Sequence, residues 1–102
     1  MKFFVVTYVH PDSEGWNKYL LAHVAYLENL LKEGTLRASG PFIGTPHESA
    51  MLILSAASRK DVLDVIAKDP FQIQGLVTET TVAEWGPVFG TYQDESRRAH
   101  SC

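Results

Sequence analysis

Residues 14–34, "EGWNKYLLAHVAYLENLLKEG", decide the fold. Trp16, Tyr19, Leu20, His23, Val24, Leu27, Leu30 and Leu31 recur at steps of three and four, which places them on one stripe of an α-helix. Asp12 or Ser13 supplies the N-cap and Gly34 the stop, so the pattern predicts a helix from Glu14 to Glu33. A helix with a single apolar stripe needs a partner surface, and the flanking segments supply it. Lys2–Val9 is rich in Phe, Val, Thr and Tyr, the composition of a strand. It has two apolar faces, Phe3, Val5 and Val9 on one and Phe4, Val6 and Tyr8 on the other.

On the other side of the helix, Thr35–Pro41 reads as a second strand and "FIGTPHES" as a loop of turn residues. "AMLILSA", Ala50–Ala56, is a third strand. Ser58 caps a second helix whose buried side is Val62, Leu63, Val65 and Ile66. Pro70 ends it, because a residue before proline avoids helical geometry. Gln72–Gly75 reads as an irregular link and Leu76–Trp85 as a fourth strand that Gly86-Pro87 terminates. The order β-α-β-β-α-β is that of an α+β, ferredoxin-like domain: a four-stranded antiparallel sheet with two helices on one face. Strands one and three are apolar on both sides, so the uncovered face is expected to pack against a second copy in a homodimer. The domain is expected to span residues 1–90, with residues 91–102 a polar, flexible tail.

Composition narrows the function. A chain of 102 residues with 45% hydrophobic and 21% charged residues suits one folded domain. Its net charge of −3 argues against nucleic acid, which calls for a basic stripe. No apolar run approaches the roughly 18 residues of a membrane helix, and the opening segment reads as a strand rather than a signal peptide. The single cysteine, Cys102, allows no intrachain disulfide, and a cytoplasmic location is expected.

His23 stands in the middle of the apolar stripe. It is either a core histidine satisfied by backbone groups or a working group, and in both cases its ring needs polar partners. Asp69 either accepts backbone hydrogen bonds in its turn or pairs with His23, poising the imidazole as an acid or base. His10 falls at the end of strand one, where a pocket rim would lie. Arg37 and Ser39 are expected to share a face of strand two; Arg37 suits a surface or dimer ion pair, and Ser39, beside Gly40-Pro41, a ligand contact. Phe71 follows Asp69 closely enough to line the same cavity. There is no glycine-rich phosphate loop, no G-x-S-x-G elbow and no two-histidine spacing suited to a metal. The chemistry left standing is proton transfer without cofactor or metal.

Together, His23 within "LLAHVAYLENLLKEG", "RASGP" on strand two, "KDPF" followed by "GL", and the closing "VAEW" resemble the YciI-like proteins. These are small relatives of the dimeric α+β barrel group. The resemblance runs to about Gly90. It implies facing sheets in a homodimer and a cleft in which the family's His and Asp, here His23 and Asp69, lie together. Members include dehydrochlorinases of chlorinated hydroxyhydroquinones, and related barrels include muconolactone isomerases. His10 stands where many members carry an acidic residue, which points to a specialised substrate. The resemblance therefore implies a lyase removing HCl from a small hydroxylated aromatic. His23 and Asp69 would be catalytic, and His10, Ser39, Arg37, Pro41 and Phe71 would contact the substrate. The alternatives are a non-catalytic dimeric binding module and a muconolactone-type isomerase.

Overall fold

A computed structural model describes residues 1–92. Strand β1 (Lys2–Val9) leads into helix α1 (Ser13–Glu33), then β2 (Leu36–Pro41), β3 (Ser49–Ala56), helix α2 (Arg59–Ala67), a short helix α3 (Pro70–Ile73) and β4 (Glu79–Trp85). The strands form one antiparallel sheet in the order β2-β3-β1-β4, the ferredoxin-like arrangement. Helix α1 begins because Asp12 caps it, its carboxylate accepting from Gly15 N–H. It ends at Gly34, whose φ of 84° is left-handed and lets its N–H meet the last carbonyls.

Alternation along β1 sets the core. Phe4, Val6 and Tyr8 point to the helices and are buried with Leu30 of α1 and Val62 and Ile66 of α2. Burying each large apolar side chain contributes about 1.5–3 kcal/mol. On the opposite face Phe3 is buried, whereas Val5 and Val9 are half-buried. Trp85 meets the Phe3 ring edge-on, and Tyr92 lies beside the same ring.

Several expectations need correction. Leu63 and Leu31 are exposed, because α2 and α1 contribute narrower buried faces than their apolar stripes. The segment from Pro70 is a helical turn rather than an irregular link: Asp69 caps it and Pro70 takes the first helical position, where its missing N–H costs nothing. Strand β4 begins at Glu79, after Thr78 has tied its N–H to the Val9 carbonyl. Most consequentially, a register shift between Leu36 and Ala38 breaks the alternation of β2, so Arg37 and Ser39 do not share a face. Ser39 pairs with Leu52 on the helix side, whereas the Arg37 guanidinium stacks over Phe3 and Tyr92 on the far side. Tyr92, just past the expected boundary at Gly90, donates its hydroxyl to the Arg37 carbonyl. The rest of the expected tail, Cys102 included, lies outside the described residues.

Candidate active site

Asp69 is the centre of the site, and the local sequence explains why. Proline at 70 holds residue 69 extended, and the Asp69 carboxylate then turns back onto Phe71 N–H at 2.9 Å. The same oxygen, Oδ1, lies 2.8 Å from His23 Nδ1, and Oδ2 accepts from the Tyr8 hydroxyl at 3.3 Å. Asp69 is only 1% exposed, so these donors replace the water it lost on folding. Tyr8 stays protonated to serve it: burial, with the Asp69 charge beside it, pushes the phenol far above its usual value.

The carboxylate can only accept, so Nδ1 of His23 carries a proton and Nε2 is the nitrogen left to exchange one. The Phe71 ring clamps the imidazole from the side, with centroids 3.9 Å apart and planes within 4°. Orientation and tautomer of His23 are thus both set, one by packing and one by charge. Such a pair suits an acid–base group, because the carboxylate stabilises the imidazolium that forms when Nε2 takes a proton.

His23 borders a cleft of about 390 Å³, within the size range of small-molecule sites. The cleft lies between α1, the ends of β1, β2 and β3, and the turn at Phe71. Flat rings dominate one part of it: His10 stacks on Trp16 with planes 13° apart, and both rings flank Phe71. Ser39 and Pro41 border the cleft from β2, and Phe42 and Glu48 border it from the loop before β3. Burial lowers the His10 imidazole below the usual histidine value. Of the expected site residues, the structure brings His23, Asp69, His10, Ser39, Pro41 and Phe71 to this region, with Asp69 behind His23 rather than on the cleft surface. It does not bring Arg37 there, because Arg37 follows the core-facing Leu36 and so points to the other face of the sheet, while the bulge in β2 turns Ser39 to the helix side.

Trp16, Tyr8 and Glu48 are among the bordering residues that the sequence did not assign to the site. Trp16 sits two helical turns before His23 on the same stripe, and Tyr8 alternates with His10, so periodicity could have found both. Glu48 could not be found that way. Its place opposite His10 follows from the antiparallel pairing of Val9 with Ser49. Among the described residues no cluster of three or more His, Cys, Asp or Glu is arranged to hold a metal ion.

A ferredoxin-like α+β domain with a buried aspartate behind a cleft histidine defines the class. The YCII-related domain matches residues 1–86, and the chain belongs to that family. It is also similar to a solved 5-chloro-2-hydroxyhydroquinone dehydrochlorinase from Burkholderia phenoliruptrix in complex with 2,5-dihydroxybenzoquinone. That likeness has 26% identity and a TM-score of 0.70, over 81% of this chain and 92% of that one. Two further structures share the fold at lower identity. A protein of Agrobacterium tumefaciens is 18% identical with a TM-score of 0.54, over 85% of this chain and 93% of its own. A NIPSNAP domain protein of Burkholderia xenovorans is 13% identical with a TM-score of 0.54, over 85% and 94%. No curated protein matches the chain.

Proposed function

We propose that this chain is a cytoplasmic, homodimeric lyase that works without a cofactor and removes HCl from a chlorinated hydroxyhydroquinone. The observation that carries the reading is the 2.8 Å bond from His23 Nδ1 to Asp69, which leaves Nε2 as the free basic nitrogen of a ring bordering an aromatic-lined cleft. The likeness to a dehydrochlorinase supports the choice of substrate.

In this reading His23 Nε2 takes a proton from a ring hydroxyl and returns it to the carbon that bears chlorine, making that carbon tetrahedral. Chloride then leaves as a second hydroxyl gives up its proton, and the ring becomes a hydroxyquinone. Atoms balance as substrate to quinone plus HCl. No external oxidant is needed, because the ring is oxidised as its carbon–chlorine bond becomes carbon–hydrogen. Asp69 stabilises the imidazolium during each transfer. Phe71 and Pro41 bracket the ring, and Ser39 and His10 meet its hydroxyls. Arg37 takes no part. Acid–base help of this kind supplies about 10²–10⁴-fold, and positioning in the cleft supplies more.

The test is chloride release from 5-chloro-2-hydroxyhydroquinone, followed with the ultraviolet spectrum, by wild type and by His23→Gln. Release by the wild type, falling at least about 100-fold in the variant, is expected. If neither protein releases chloride while both are folded, the lyase reading is overturned and a non-catalytic binding module takes its place.

A further inference from the structure

Against the same Phe71 ring that stacks on His23 lies a second polar pair, His10 and Glu48, of which Glu48 has no role so far. His10 is 4% exposed, yet its Nδ1 has no hydrogen-bond partner among the described residues. Such a buried nitrogen is costly unless something satisfies it. The nearest charged group is the Glu48 carboxylate, whose Oε2 lies 3.9 Å from Nδ1, too far for a hydrogen bond. Glu48 is nevertheless held in place. Its carbonyl accepts His10 N–H at 2.8 Å, and its Oε1 accepts from the Ser13 hydroxyl at 3.3 Å. Both residues border the cleft, and the His10 ring packs against both Trp16 and Phe71.

We propose that His10 and Glu48 form a second anchor that selects ligands carrying a further ring hydroxyl, with Glu48 the residue that determines this specificity. His10 Nδ1 is closed off from solvent, so one hydroxyl reaches it as the half-exposed Glu48 side chain shifts aside, and it then completes both: its oxygen accepts from His10 Nδ1–H and its O–H donates to Glu48 Oε2. An ether or a halogen at that position accepts from His10 but gives Glu48 nothing, so it leaves a carboxylate facing an acceptor. The ligand class that fits is a planar ring with two separated hydroxyls, one for His23 and one, kept protonated, for this anchor. The inference rests on the cleft being the ring-binding site proposed above.

Calorimetric titration with hydroquinone and with 4-methoxyphenol separates the terms, because the second oxygen of 4-methoxyphenol carries a methyl group and cannot donate, and Glu48→Ala tells the lost donor apart from the added bulk. Wild type is expected to prefer hydroquinone by at least about tenfold, the usual effect of losing a hydrogen bond to a charged group. In Glu48→Ala the preference falls to within about twofold. His10→Phe keeps a flat ring against Trp16 and Phe71 and weakens both probes alike while leaving the preference to Glu48, and thermal melts establish that both variants are folded. An unchanged preference in folded Glu48→Ala overturns the anchor. So does a wild type that binds both probes equally; if that protein still releases chloride from its chlorinated substrate, the lyase reading survives alone. A wild type that binds neither probe and releases no chloride overturns both.

Discussion

Asp69 serves three donors: its Oδ1 accepts from a backbone amide and from His23, while Oδ2 accepts from Tyr8. Asparagine has only one acceptor oxygen, so Asp69→Asn either turns its amide nitrogen onto Tyr8 or loses the histidine. Stability is expected to fall by about 1–3 kcal/mol, read as a drop of several kelvin in Tm. Chloride release should fall about 100-fold as well, because a neutral amide does not stabilise the imidazolium. At His10 burial favours the neutral ring, so the folded chain binds its proton less readily than the unfolded chain does near pH 6.5. The unfolded state thus holds the extra proton as pH drops. The stability due to His10 is complete above about pH 6.5 and is lost as pH falls through the folded value. Melts at pH 8 and pH 5 should therefore show a smaller acid loss for His10→Phe than for wild type; an equal loss would refute the assignment. At this scale the sequence was half legible. His23 was marked by its place in an apolar stripe, whereas Glu48 was an ordinary acidic loop residue until β1 paired with β3.

Helix α1 is the element whose two halves do different things. Toward its C-terminal end Leu30 is sealed into the core, while Trp16, Leu20, His23 and Val24 border the cleft and stay partly exposed. A periodic stripe looks the same whether it faces packed side chains or a cavity, so the pattern located the helix but not the opening beside it. Its ends were legible because caps are local chemistry. Gly34→Ala places a side chain at φ 84° and is expected to cost about 1 kcal/mol, with unchanged ligand binding. Gly15→Ala should cost more than that, since a Cβ there would stand 2.5 Å from Leu76 and 2.6 Å from the capping Asp12 carboxylate. Denaturant titration of the two variants checks the order. Strand β2 is the opposite case: a bulge is set by pairing with a neighbour, and it moved Ser39 to the helix side, away from the face that simple alternation gives it together with Arg37.

For the whole molecule, the sheet face away from the helices carries Val5, Val9, Met51 and Ile53, all half-buried in the single chain. The proposed homodimer covers this surface. Light scattering is expected to give twice the 11.4 kDa of one chain, and Ile53→Arg should return it to the single mass. A monomeric wild type would remove the dimer from the proposal. The order of the four strands and two long helices, the caps, and His23 and Asp69 as separate candidates followed from the sequence alone, because hydrophobic period, turn chemistry and proline geometry act over a few neighbouring residues. The distance between His23 and Asp69, the reach of Arg37 and the meeting of His10 with Glu48 were decided only by the tertiary structure. Each depends on strand register and on residues tens of positions apart, and no local propensity encodes which of those will touch.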